Sequence, residues 1–302
     1  MQFARFLAPA LVLSIGLVAH ADDAKTYNLD VKPVYKVGEV TTATAHEEGA
    51  NDTKVTTAEG AVAFAKDEKE LLDYTAIHKV LEIDAEGRIT KELIHFSSWK
   101  YAKGEPESTE LTGVHIEVSG REAKRSCKIL TPGVTLATIA DTTKAWLDKK
   151  FGPDEKGDFG DAMKPSKPVG IGESWDIDVA KVGAAMGKEM AFDPAKSSAK
   201  ATLLSVEGDL ATIHIELKLQ LASISAGPAG SLKVLEGGMF EIVGEGHAPL
   251  AVTARGDGGA MTMKLGTKTE GPQGTTMVLA IEGKQDSSTK SGGEMPEVPA
   301  AK

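Results

Sequence analysis

The chain has 302 residues, with 34 basic and 44 acidic side chains, a formal net charge of −10 and one cysteine, Cys127. That acidic balance disfavours nucleic acid and anionic membrane surfaces as partners, since both need a basic face. A lone cysteine excludes an intramolecular disulfide, and a chain this long can bury enough surface to fold without one.

The first element reads as a cleavable signal peptide over residues 1–21. Arg5 precedes an apolar run from 6 to 18, and Ala19-His20-Ala21 supplies the small residues that signal peptidase requires. The run is shorter than the roughly 20 residues that span a bilayer, and Pro9 interrupts it. Cleavage after Ala21 removes Arg5 and no acid, which takes the formal charge from −10 to −11. No cysteine stands at the cleavage point to carry an acyl anchor. The expected product is exported, periplasmic or extracellular, with no stable insertion in a membrane.

A β-rich half is expected over 25–132. Residues 77–83 run into Asp84-Ala85-Glu86-Gly87 and return through 89–99, a hairpin signal, with shorter strand candidates at 53–66, 111–119 and 123–130. A helical connector and loop follow over 133–168. After Pro132-Gly133, the residues Leu136, Ile139, Ala140, Trp146, Leu147 and Phe151 recur at three- and four-residue steps, which predicts a central amphipathic helix over about 135–151. Residues 153–168 are rich in charge, glycine and proline and read as loop.

A second β-rich half is expected over 169–286. Val179, Val182, Met186 and Met190 predict a second helix over about 178–191, weakened at Gly183 and Gly187 by nearly 1 kcal/mol each and ended at Pro194. The clearest strand is 211–221, where Ala211, Ile213, Ile215, Leu217, Leu219 and Leu221 alternate with Thr212, His214, Glu216, Lys218 and Gln220. Glu207-Gly208-Asp209 joins it to a strand at 201–206, and further candidates lie at 232–243, 250–255, 261–265 and 277–281, the last two joined by Gly271-Pro272-Gln273-Gly274. From Asp286 onward apolar periodicity stops, so 287–302 is expected to be a disordered tail. The fold class is mainly β (α+β): long antiparallel hairpins in a meander, forming one or two curved sheets. A five-residue echo, Val114-His115-Ile116-Glu117-Val118 against Ile213-His214-Ile215-Glu216-Leu217, hints at duplication.

Pro168-Val169-Gly170-Ile171-Gly172-Glu173-Ser174-Trp175, opening the second half, and the earlier Tyr35-Lys36-Val37-Gly38-Glu39 resemble a group of exported bacterial proteins of unknown function. Both motifs read structurally, as a glycine turn ahead of a strand with an aromatic packed into the core, and the resemblance implies no catalytic residue. A looser architectural analogy is to lipoprotein carriers, whose curved antiparallel sheet wraps helices and holds an acyl chain.

Motifs that could carry chemistry lack context. His115 and His214 each precede a glutamate by two residues, a spacing that could ligate a metal with a third partner, but these are positions for solvent-facing strand residues. His46-Glu47-Glu48 with Asn51-Asp52 offers oxygen ligands without the spacing of a calcium loop and reads as a solvated acidic turn. Asp158-Phe159-Gly160 and Arg255-Gly256-Asp257 match short motifs by coincidence, and Asn51-Asp52-Thr53 is a glycosylation sequon only in a eukaryotic pathway. Cys127 reads as a small hydrophobe, and Ser174 does not sit in a nucleophile elbow. No catalytic, cofactor-binding or metal-binding residue is assigned, and no cofactor is expected.

Two functions remain. The first is a non-catalytic binding or structural module of the bacterial envelope, with an apolar small molecule, a lipid or an envelope protein as partner; it predicts a concave apolar cleft. The alternative is a hydrolase-like enzyme whose dispersed His, Asp and Glu converge in a pocket. An aromatic content of 5%, with Trp99, Trp146 and Trp175 in core-like patterns, disfavours a sugar-binding platform.

Overall fold

A computed structural model describes residues 25–104, 106–153, 162–186, 190–225, 231–255, 258–271 and 274–300. The expected signal peptide, Asp158-Phe159-Gly160 and Gly256-Asp257 lie outside them. The fold is mainly β, with long antiparallel strands and, among the described residues, two α-helices of eight residues or more. In chain order the elements are β1 (Thr26–Tyr27), β2 (Val40–Thr56), β3 (Val62–Ile83), β4 (Ile89–Lys103), β5 (His115–Ser119), β6 (Ser126–Ile129), α1 (Asp141–Phe151), β7 (Val169–Gly170), β8 (Ser174–Asp176), α2 (Val179–Met186), β9 (Met190–Phe192), β10 (Ser198–Glu207), β11 (Leu210–Ser225), β12 (Ser231–Pro249), β13 (Gly258–Glu270) and β14 (Thr276–Ser291).

Twelve strands form one sheet in the order β6-β5-β4-β3-β2-β14-β13-β12-β11-β10-β8, with β9 also paired to β11, and β1 pairs with β7 in a separate ribbon. Each half is a meander, and the two meet where β14 runs antiparallel to β2 from Thr276↔Thr56 to Ser291↔Thr41. The halves are therefore two wings of one sheet. At about 3.3 Å per residue the 22 residues of β3 reach about 70 Å, so right-handed twist and bulges must coil the sheet.

The two helices pack on one face, here the helix face, over separate cores. α1 brings Trp146, Leu147 and Phe151 onto Leu72, Ile94, Phe96, Trp99 and Ile116. α2 brings Val182 onto Ala201, Leu217, Leu219, Leu221, Phe240 and Ile242. The alternation expected at 211–221 is observed: Ala211, Leu217 and Leu219 are fully buried, while Glu216 and Lys218 are exposed. Both helices are shorter than expected. α1 starts at Asp141 because the Thr138 hydroxyl accepts from the Thr135 N–H and donates to the Thr135 carbonyl, which holds 135–138 in a turn. α2 ends at Met186, and Met190 lies in β9, paired with Ile224 of β11.

The ends of the chain cross between the wings. Leu29, after β1, is buried with Val169, Leu203 and Ala211 of the second half, and Lys164 Nζ meets Asp30 Oδ1 at 2.8 Å. In return β14 closes against β2 of the first half. The strand pattern continues past the boundary expected at 286: β14 runs to Ser291, because its polar residues 286–291 pair with Thr41–His46 through backbone bonds that need no apolar side chain. Residues 292–300 then lie on the first half, where Gly292 N–H donates to the Val40 carbonyl and Thr42 Oγ1 donates to the Gly292 carbonyl.

Two further expectations change. His46, Glu47, Glu48, Asn51 and Asp52 lie within β2 and not in a turn, and residues 53–66 span the end of β2, a tight turn and the start of β3. The segment 250–255 is bends and turns rather than strand. The five-residue echo falls on β5 and β11, which hold different places in the two meanders. A clearer repeat lies in the two motifs. In Lys36-Val37-Gly38-Glu39 the Glu39 N–H bonds the Lys36 carbonyl while the Lys36 N–H donates to Glu39 Oε2. In Gly170-Ile171-Gly172-Glu173 the Glu173 N–H bonds the Gly170 carbonyl, and the Gly170 N–H donates to Glu173 Oε2 at 2.7 Å. Gly38 and Gly172 take φ of 85° and 83°, the left-handed conformation required at the third position of a type II turn. Each turn then ties to a neighbouring strand by two backbone bonds, with Val80 and with Leu203.

Candidate functional site

On the helix face the two wings differ. The first is filled by rings: Phe96 lies 6.1 Å from Tyr74, 6.0 Å from Trp146 and 6.4 Å from Phe151, and Trp99 lies 5.9 Å from Trp146. The second is mainly aliphatic, with Phe240 its one buried ring among the described residues, and its flank is left part-exposed, with Met186, Met190, Met261, Met263, Leu279 and Ile281 only partly buried. Met263 and Met261 lie over glycines of adjacent strands. A Cβ on Gly283 would stand 2.9 Å from Met263 Cγ, and one on Gly244 2.6 Å from Met261 Cγ. Between the cores β2 and β14 present Ala43, Ala45, Gly49, Gly283 and Ser287 on this face, interspersed with Glu47 and Gln285.

The opposite, open face carries a groove of about 540 Å³ across β2, β14, β13, β12 and β11, lined by His46, Glu48, His214, Val243, Glu245 and Asp286 among others. This groove lies on the polar face, not over an apolar core. His46 Nδ1 stands 2.6 Å from Asp73 Oδ1 and its Nε2 3.4 Å from Glu48 Oε1. The Asp73 carboxylate, helped by Glu48, holds His46 above the usual histidine value of 6.5. Both nitrogens of His46 face carboxylates, so neither is turned to accept a proton from Ser98 or Thr75 in the adjoining groove.

The histidines singled out in the sequence take opposite settings. His214 stays half-buried on the open face, 3.6 Å from Glu216. His115, also on that face, is 2% exposed. Its ring lies 4.4 Å from that of His95, directly across on β4, and its Nε2 lies 3.1 Å from the Pro296 carbonyl of the tail. No acid pairs with it, and among the described residues no group of three His, Cys, Asp or Glu side chains is arranged to hold a metal. His95 was missed in the sequence because its importance comes only from cross-strand register.

Cys127 packs against the first core, and burial, with Asp148 adding to it, pushes its thiol up to about 11; a thiol so protonated is a poor nucleophile. Ser174 Oγ bonds Thr202 Oγ1 at 2.8 Å, and Trp175 Nε1 donates to the Met163 carbonyl at 2.8 Å, so this motif is used structurally. Tyr35 and Glu39 of the other motif clamp Arg255. The guanidinium lies 4.4 Å from the Tyr35 ring centroid, bonds both carboxylate oxygens of Glu39 and donates to the Val34 carbonyl at 2.7 Å. Arg255 thus serves as an internal staple.

No family model and no curated protein matches the chain. Among solved structures, one of lipovitellin concerned with its lipid–protein interactions aligns at 9% identity and a TM-score of 0.34, covering 88% of this chain. The chain spans about a quarter of that protein, 27% of its length. A structure from work on asymmetric conductivity of engineered proteins aligns at 12% identity and a TM-score of 0.21, covering 81% of this chain and 99% of the other.

Proposed function

We propose that the protein is an exported, non-catalytic binding module of the bacterial envelope that takes an apolar ligand, such as a lipid acyl chain, on the helix face of its second wing. The observation that carries this reading is the part-exposed flank of the α2 core, where Met261, Met263, Leu279 and Ile281 remain only partly buried. Methionine is flexible and polarisable, so it can shift to admit an irregular apolar chain at little cost. Met263 over Gly283 and Met261 over Gly244 have room to move that a side chain on either glycine would remove. The ionisable groups of the open face support binding better than catalysis, since both nitrogens of His46 face carboxylates.

The test is native mass spectrometry of protein purified from its own envelope, paired with titration of a fluorescent long-chain fatty acid. A co-purifying lipid and saturable probe binding, weakened at least about tenfold by Met263→Lys, are expected; about tenfold corresponds to 1.4 kcal/mol. A bare protein that also fails to bind the probe would contradict the proposal.

A further inference from the structure

The tail that follows β14 lies across the open face of the first wing, and the groups beneath it are histidines. Gly292 continues the pairing with β2 through Val40, and the chain then passes over Thr42 and Ile77, which a Cβ on Gly293 would approach to 2.7 and 3.7 Å. Ile77 pairs with His95, and His95 with His115, so the tail crosses three strands before the Pro296 carbonyl meets His115 Nε2. Nδ1 of His95 and Nδ1 of His115 are both buried with no hydrogen-bond partner among the described residues. For Nε2 of His115 to donate to Pro296 in a neutral ring, its Nδ1 must be the bare nitrogen.

We infer that the His95–His115 pair is a pH-sensitive latch: neutral, it seats the C-terminal segment 292–300 on the sheet, and on protonation it releases that segment. Adding a proton to either Nδ1 buries an N–H with no acceptor and places a charge against the neighbouring ring, 4.4 Å away. Lifting the tail lets water reach both nitrogens and removes that cost. Burial, with His115 beside it, accordingly holds His95 below 6.5. Other ionisable positions on this face of the surrounding elements include His46 on β2, Asp73, Lys79 and Glu82 on β3, Lys91 and Lys100 on β4, Glu117 on β5, Lys128 on β6, Lys290 on β14, and Glu294 and Glu297 on the tail; Asp73 is held by His46 at 2.6 Å and Glu82 lies 3.9 Å from Lys91. Glu117 is engaged by Lys91 at 3.3 Å. Glu294 and Glu297 are the acids that could offset a charged pair, and both are exposed.

The sign follows from linkage. A histidine held below its free value binds fewer protons in the closed state, so closure weakens as pH falls below about 6.5 and is complete above it. Hydrogen exchange of residues 292–300, corrected for intrinsic rates, should show protection at pH 7.5 that drops at least about tenfold by pH 5, which corresponds to about 1.4 kcal/mol of closure. His115→Gln keeps a donor for Pro296 without titrating, and paired with His95→Gln it should retain protection at pH 5. In the full chain the His95 imidazole should titrate below its value in a chain ending at Ser291, measured by NMR. Protection that is the same at pH 7.5 and 5, or lost equally in the double-glutamine variant, would overturn the latch. So would a His95 titration that truncation leaves unmoved.

Discussion

The two wings of the sheet answer the same problem, how to cover one face of a long meander, with different chemistry. In the first wing α1 seals an interlocked set of rings, Tyr74, Phe96, Trp99, Trp146 and Phe151, and the C-terminal segment closes part of the other face. In the second wing an eight-residue helix caps an aliphatic core and leaves a methionine-bearing flank part-open. A ring-packed core has few low-cost rearrangements, whereas methionine over glycine has several. On the proposed reading, the first wing supplies rigidity and the second ligand access.

The sharpest way to break this comparison is to truncate one side chain in each wing. Phe96→Ala should cost about 3–5 kcal/mol, as large buried rings do, while Met263→Ala, on the part-exposed flank, should cost about 1 kcal/mol. Urea unfolding midpoints measure both, and equal losses would erase the distinction. Arg255 joins the wings, since it bonds Glu39 ahead of β2 and the Val252 carbonyl in the second half. Arg255→Met should cost about 2–3 kcal/mol at neutral pH by leaving the Glu39 carboxylate with only the Lys36 N–H as a partner. The Arg255 bond holds Glu39 below 4.5, so this contribution is present above that value and lost as pH falls beneath it. The variant and the parent should converge in acid, which thermal melts at pH 7 and pH 3 would check.

Glycine substitutions sharpen the picture further. A Cβ on Gly244 would meet the Ala260 carbonyl, which is backbone and cannot move aside, so Gly244→Ala should cost about 1–3 kcal/mol. Gly283→Ala meets chiefly the mobile Met263 and should cost less than about 1 kcal/mol, yet weaken fatty-acid binding by displacing that side chain. The smallest effect belongs to His46, which is substantially exposed. Its raised affinity for protons means any stabilisation is present below about 6.5 and disappears as pH rises through its raised value. His46→Gln should therefore differ from the parent only in mildly acid buffer, seen as a small shift in melting temperature.

How much of this was legible in the sequence depended on whether side chains alternate in size. β11 was plain because its buried residues are large and its exposed ones polar. β2 was invisible over 40–52 because its helix-face positions, Ala43, Ala45, Glu47, Gly49 and Asn51, fall between two cores and carry no large apolar side chain to mark the alternation. The end of β14 was missed for the same reason, since Ser287, Thr289 and Ser291 are held by backbone pairing with β2. The clamps in the two glycine motifs were visible as letters but not as bonds: Glu39 and Glu173 each fold back on the residue three earlier. No local pattern announces that His95 stacks on His115, because strand register and the distant tail create that site.

The account rests on the second wing being the one that admits an apolar chain, and methyl NMR of the methionines reads that directly. On titration with a long-chain fatty acid, the methyl signals of Met186, Met190, Met261 and Met263 should shift together and saturably, and Gly283→Ala should blunt the response. Methyl signals that stay in place at saturating ligand, or that move only for methionines outside this flank, would contradict it.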